Sequence, residues 1–314
     1  MGRLFGTDGV RGVANKDLTN ELAMKIGMAA AEILLKRAGD QRPTVMIGRD
    51  TRASGDMLEA ALTAGFCSVG VNVLSVGVVP TPAIAYLVGK YGCEAGVMIS
   101  ASHNPCEYNG IKIFQSTGYK LPDSVEDEIE AIILDSPDQI ELKTGGDVGR
   151  RTYCKTAVED YIEHIVSVSE VSFDGLNIAI DTANGSASVC AKEIFTRLGA
   201  KCHMLSDTPN GVNINLNCGS THMEELAEFV KANKLDLGIA FDGDADRMLA
   251  VDENGEIVDG DKVIAICATQ MKQEKKLAKN TAVVTVMSNM GFFKFCEDNG
   301  ITVSYTHLTL PTIC

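Results

Sequence analysis

The sequence predicts an α/β protein built from consecutive similar α/β units, with parallel or mixed sheets around a shared cleft. Short apolar runs of strand length alternate with segments whose apolar residues recur at helical spacing. The alternation repeats along 314 residues, enough chain for two or three cores. Several apolar runs also deliver a polar, Gly- or Asn-containing loop at their carboxyl end, where open α/β sheets place ligands.

Taken in order, Thr19 or Asn20 can cap a helix whose apolar face is Leu22, Ile26, Ala29, Ile33 and Leu34. "PTVMIG" (43–48) reads as a buried strand, and "GRDTRASGDMLEAALTAG" as a polar loop entering a second helix. "VNVLSVGV" is the next strand; "VPTPAIAYL" reads as a loop, because Pro80 and Pro82 would interrupt a helix. "AGVMIS" is a strand that ends just before Ser102, and "YNG" a turn before Lys112. "GLNIAID" (175–181) is a strand, "TANGSAS" a turn, and "VCAKEIFTRLG" a helix closed by Gly199. "LDLGIAF" (235–241) runs as a strand into "DGDADR". "TAVVTVM" (281–287) is a strand, followed by a turn and a helix ending at Gly300. Polar segments near 150 and 255 divide the chain into units 1–150, 151–254 and 255–305.

Composition excludes some function classes. Lys and Arg number 28 against 42 Asp and Glu, a formal charge of −14 that repels nucleic-acid backbones and anionic membranes. Ala64–Val88 carries no charge and is long enough to cross a bilayer, but its glycines and prolines argue for soluble elements. The start lacks a basic, apolar secretory signal, and the 10 cysteines form no C-x-x-C pair, which together suggest a reduced, cytoplasmic protein. Oligomeric state has no sequence signal.

Two loops carry the chemistry. "FDGDADR" places Asp242, Asp244 and Asp246 within five residues, and hard oxygen donors packed this densely suit Mg²⁺ or Ca²⁺. An EF-hand spaces acids similarly, with Glu253 at its twelfth position, but it needs Gly where Arg247 stands and flanking helices instead of strands. A solvated acidic turn is the plain alternative. Ser102 sits outside any G-x-S-x-G pattern, and a free serine hydroxyl is a weak nucleophile, so by itself it reads as a turn residue. His103 reads as a structural or hydrogen-bonding neighbour. Lys112 could return to the serine as a cation or proton acceptor, or lie on the surface. Gly-rich turns with Arg11, Arg49 and Arg52 fit phosphate contact. Taken together, an acidic metal loop, an exposed serine and arginine-bearing turns suggest phosphoryl transfer.

In their order, "GTDGVRG", "GRDTRASG", "ISASHNP", "NGIK", "FDGDADR" and "VDGD" resemble the α-D-phosphohexomutase superfamily, and most closely its bacterial amino-sugar branch. The resemblance implies that Ser102 is carried as a phosphoserine. It implies that Asp242, Asp244 and Asp246 hold one Mg²⁺ beside it, and that Arg247 and Arg11 steady phosphate oxygens. Lys112 becomes the general acid or base, in a catalytic set with Ser102, Arg11 and His103; His103 and Asn104 shape the loop, and Arg49 and Asn104 contact phosphate or substrate. The implied reaction interconverts glucosamine 6-phosphate and glucosamine 1-phosphate through glucosamine 1,6-bisphosphate, on the route to UDP-N-acetylglucosamine. Mannose or glucose phosphates are the alternative substrates, and a non-catalytic fragment the alternative class.

The superfamily has four domains. Against that pattern the third is expected to be incomplete and the fourth absent, with low turnover by this chain as the corollary. "YTHLTLPTIC" departs from the family, so 306–314 is expected to be a foreign tail.

Overall fold

The computed structural model describes residues 3–38 and 41–306. The first sheet is mixed, in the order β1 (Val10–Val13), β5 (Tyr108–Gln115), β4 (Ala95–Ile99), β2 (Thr44–Arg49), β3 (Asn72–Val78), β6 (Arg151–Tyr153). Strands β4, β2, β3 and β6 run parallel, whereas β5 turns back against β4, and β1 runs antiparallel to β5. The central strands are buried on both faces, which explains their unbroken Val, Ile and Met content. Helices α1 (Asn20–Ala38), α2 (Ser54–Val69) and α4 (Asp123–Asp135) cover one face, and α3 (Thr81–Lys90) and α5 (Ala157–Val168) the other.

The second sheet repeats the plan on a smaller scale: β11 (Ile257–Val258), β10 (Met248–Asp252), β9 (Leu237–Phe241), β7 (Asn177–Asp181), β8 (Lys201–Leu205). Its parallel core β8–β7–β9 again ends in a strand, β10, that reverses direction. Helices α6 (Ala191–Arg197) and α7 (Glu224–Asn233) pack against its two apolar clusters. A third unit pairs β12 (Thr281–Val284) with β13 (Thr302–Tyr305) in parallel, under α8 (Gly260–Gln273) and α9 (Met290–Asp298). These three units match the expected run of similar α/β units.

Local chemistry explains most boundaries. Thr19 is the cap of α1, its Oγ1 accepting from the Leu22 N–H at 3.1 Å. Asn289 caps α9 in the same way through Phe292 N–H. The segment "VPTPAIAYL" is a helix and not a loop. Pro80 occupies the N-cap position and Pro82 the first turn of α3, where missing N–H groups have no intrahelical acceptor to lose. "YNG" is likewise strand and not turn, since Tyr108, Asn109 and Gly110 pair with Val13, Gly12 and Arg11. The chain reverses earlier, through Ser102–Glu107. The helix read at 189–199 begins with a 3-10 turn and becomes α-helical at Ala191, and the strand read at 281–287 ends at Val284.

Ala64–Val88 is divided among α2, β3 and α3; among the described residues no helix is long and apolar enough to cross a membrane. The first sheet continues through Tyr153, three residues past position 150, and the second through Val258. Of the expected tail, Thr306 still donates to Val284 O at 2.8 Å, and 307–314 lies outside the described residues.

Candidate active site

The reversal from β4 into β5 carries Ser102, and the matching reversal from β9 into β10 carries Asp242–Arg247. The two loops meet. Ser102 is left-handed at φ 52°, buried, and donates its Oγ–H to Asp242 Oδ2 at 2.6 Å. Arg247 closes the pair: its N–H reaches Asp242 Oδ1 at 3.2 Å, and its guanidinium reaches Asp242 Oδ2 at 3.1 Å and Ser102 Oγ at 2.5 Å. This approach needs glycine at 243, because a Cβ there would stand 2.6 Å from Ser102 O.

Asp242, Asp244 and Asp246 each turn a carboxylate oxygen into a common region, all within 4.8 Å of one another. Lys112 crosses from β5 to this cluster, with Nζ 2.9 Å from Asp244 Oδ2 and 3.4 Å from Asp246 Oδ2. Thr81 fixes Asp244 from a third direction: its hydroxyl donates to Oδ2 at 2.7 Å and its N–H to Asp244 O at 2.9 Å. Burial would raise the Asp244 carboxyl, but Lys112 and Thr81 outweigh it and hold it below its ordinary value. Asp246 moves the other way, raised by burial and by the neighbouring Asp244 charge. Burial also opposes the Lys112 charge, yet the Asp244 carboxylate prevails and raises the ammonium.

The cluster fits a divalent cation. Asp244 Oδ1 is buried and has no hydrogen-bond partner, leaving an ionised oxygen free for one. Three carboxylates face two neighbouring cations, Lys112 and Arg247, so the acidic side is in excess. Oxygen-only donors at this density match Mg²⁺ chemistry.

A cleft of about 330 Å³ opens on Ser102, walled by Arg11, His103, Lys112, Asp246 and Arg247. His103 Nδ1 lies 2.5 Å from Arg247 Nη2. Burial and the guanidiniums of Arg247 and Arg11 push its imidazole below the ordinary value, which keeps an unprotonated nitrogen available to accept. Arg11 Nε is buried without a partner, and its Nη2 is 3.5 Å from Asp8. Most site residues expected from sequence are therefore brought together, and Arg49 is the exception. Arg49 is not in the cleft: its guanidinium is held by Asp56 at 2.5 Å and Glu59 at 3.1 Å. Asn104 contributes its main-chain carbonyl, which accepts from Arg52 and Asn215 and so helps to shape the serine loop.

Sequence reasoning missed Thr81, Asn215 and the part played by Arg52. Thr81 lay inside a segment read as loop. Arg52 had a local signal, an aspartate two residues earlier that can turn its side chain inward, as Asp50 does at 2.9 Å.

Comparison with known proteins is consistent with this geometry. Family descriptions for phosphoglucomutase/phosphomannomutase α/β/α domains I, II and III match residues 2–139, 159–255 and 259–308. A phosphoglucosamine mutase of Clostridium novyi (strain NT) is 53% identical over 304 residues, covering 96% of this chain and 67% of the relative. This chain thus spans about two thirds of that protein's length. Among solved structures, a phosphoglucomutase/phosphomannomutase family protein from Burkholderia thailandensis superposes with a TM-score of 0.78 at 27% identity, covering 96% of this chain and 65% of that one. The N-acetylphosphoglucosamine mutase of Aspergillus fumigatus, solved with GlcNAc-6P and magnesium, shares the fold at 16% identity and a TM-score of 0.61, covering 98% of this chain and 63% of that one.

Proposed function

The chain belongs to the phosphoglucomutase/phosphomannomutase family, and from that premise we propose that it carries phosphoryl groups on Ser102 to interconvert glucosamine 6-phosphate and glucosamine 1-phosphate. The observation that carries this reading is the meeting of the Ser102 hydroxyl from one sheet with Asp242 from another, in a cleft lined by Arg11, Lys112 and Arg247. The amino-sugar substrate follows from the name of the 53% identical relative.

In the proposed cycle, phospho-Ser102 transfers its phosphoryl group to a hydroxyl of glucosamine 6-phosphate. The serine Oγ–P bond breaks, a sugar O–P bond forms, and glucosamine 1,6-bisphosphate results. The proton from the sugar hydroxyl ends on Ser102 Oγ, with Lys112 as the acid–base group beside it. The bisphosphate turns over, its other phosphoryl group returns to Ser102, and glucosamine 1-phosphate leaves. Arg247 and Arg11 supply donors to phosphate oxygens, and the neutral His103 keeps the Arg247 guanidinium aimed at the serine. Mg²⁺ held by Asp242, Asp244 and Asp246 would neutralise charge on the phosphoryl oxygens.

The test is to incubate the purified chain with MgCl₂ and glucosamine 1,6-bisphosphate and locate added phosphate by peptide mass spectrometry. Phosphate confined to Ser102, and absent in Ser102→Ala, is the expected result. A cooperatively folded chain that acquires phosphate elsewhere, or nowhere, refutes the assignment of Ser102 as the carrier.

A further inference from the structure

Arg52 is the largest fully buried side chain among the described residues, and it lines neither the acidic cluster nor the cleft. Its Nε donates to Asp50 Oδ2 at 2.9 Å, its Nη2 to Ser102 O at 2.9 Å and Asn104 O at 2.8 Å, and its Nη1 to Pro105 O. Four of five guanidinium donors are thereby used, three of them on main-chain carbonyls of the serine loop. Asn215, from the second unit, donates to two of the same carbonyls, Ser102 O at 2.9 Å and Asn104 O at 3.1 Å. Asn215 is itself left-handed at φ 57° and anchored by its N–H to Ala183 O at 2.9 Å.

The other side of Ser102 is fixed by the same buried acid. The Ser102 N–H donates to Ser100 Oγ at 2.9 Å, and Ser100 Oγ donates to Asp50 Oδ2 at 2.6 Å. Left-handed backbone is costly for serine and persists only where its surroundings over-determine it. Here the two peptide groups flanking its Cα are held by Arg52 and Asn215 on one side and by Ser100 on the other.

We infer that Arg52 and Asn215 are positioning residues that together clamp the Ser102 backbone, so that seating of the second unit sets the direction of the serine hydroxyl. This inference rests on the reading of Ser102 as the phosphoryl carrier. Arg52 and Asp50 form the part of the clamp supplied by the first unit. Asn215 completes it only when the second unit is docked, the same condition that brings Asp242 to Ser102 Oγ. The serine loop and its acidic partner are thus aligned by one event.

The experiment compares Asn215→Ala with Asn213→Ala in the full chain. Asn213 lies on the same loop, but its side chain serves only that loop, through Asn210 N–H and Thr208 O. Hydrogen exchange of the peptide 100–107 and the rate of phosphate capture on Ser102 from glucosamine 1,6-bisphosphate are read per folded molecule. The clamp predicts at least tenfold faster exchange and at least tenfold slower capture in Asn215→Ala, with Asn213→Ala within twofold of the parent in both. Unchanged exchange in Asn215→Ala, or equal effects of the two substitutions, overturns it. If Asn215→Ala does not fold, Asn215→Ser decides by the same criteria. Should the parent chain itself take up no phosphate, the carrier reading fails, and the exchange arm still decides the clamp.

Discussion

Asp50 and Asp181 hold the same position in two different sheets. Each lies at the carboxyl end of the first parallel strand of its unit, is buried, and accepts the N–H of the residue two further on, Arg52 at 3.0 Å and Ala183 at 2.8 Å. They differ in what their second oxygen meets: Asp50 takes the Arg52 guanidinium and the Ser100 hydroxyl, whereas Asp181 takes the Gly219 N–H at 2.8 Å. Losing Asp181 strands two buried N–H donors, about 1–3 kcal/mol each. Losing Asp50 strands a buried N–H and a hydroxyl and, beyond them, a buried cation that alone costs about 3–5 kcal/mol. Urea denaturation of Asp181→Ala and Asp50→Ala should rank in that order; the reverse ranking contradicts the account of Arg52 as a buried cation with a single carboxylate partner.

Gly243→Ala should separate the two loops without touching a charged group. The new Cβ meets Ser102 O at 2.6 Å and Asn215 Nδ2 at 2.8 Å, both of them held in place. Overpacking of this kind costs about 1–3 kcal/mol. Faster hydrogen exchange in 100–107 than in the parent is the expected result, and an unaltered profile would show that the seam has more room than these distances allow.

Metal addition gives the third check. MgCl₂ at a hundredfold excess over its Kd should stabilise the parent by about 2.7 kcal/mol, a shift reversed by EDTA. Asp244→Asn should lose that response, because it removes the charge of the carboxylate whose Oδ1 has no protein partner. An equal Mg²⁺ shift in parent and Asp244→Asn would place the cation elsewhere.

A fourth prediction concerns acid, far from the cleft. Glu130 accepts the N–H groups of Arg3, Leu4 and Phe5 at 2.7, 2.8 and 2.7 Å, tying the start of the described chain to α4. Burial opposes its charge, but those three donors and the Arg3 guanidinium outweigh it and hold the carboxyl below its ordinary value. A depressed acid stabilises the fold above its unfolded value, near 4.3, and loses that contribution as pH falls through the folded value. Hydrogen exchange in residues 3–10 should therefore be flat from neutral pH to about 4.5 and accelerate below it, after correction for intrinsic rates. Glu130→Gln should be fast throughout; acid sensitivity that persists in Glu130→Gln assigns the effect to another group.

How much was legible in the sequence follows from the range of each interaction. The loops carrying Ser102 and the three aspartates could be located because each follows an apolar strand, where a loop faces ligand. Ser102 alone reads as a turn residue, and only the run of motifs resembling the superfamily singles it out. Lys112 returns to the acids because β5 folds back on β4, a pairing hidden when "YNG" reads as a turn. The helix at Thr81 was hidden by its prolines, whose effect depends on whether they stand at the first turn or further in. Arg49 and Arg52 are three residues apart with similar surroundings in the sequence. The neighbouring Asp50 turns Arg52 inward, but only tertiary placement supplies the Pro105 carbonyl that receives it and the buried Glu59 carboxylate that holds Arg49.

The partners that fix Ser102 lie 50, 113, 140 and 145 residues from it along the chain. On the ribosome the serine is therefore made long before Asp242 and Arg247 exist, while its own sheet is already free to fold. A nascent first unit carries an unfinished site, and the ability to handle phosphate arrives as a late, all-at-once gain when the second unit emerges and closes upon it.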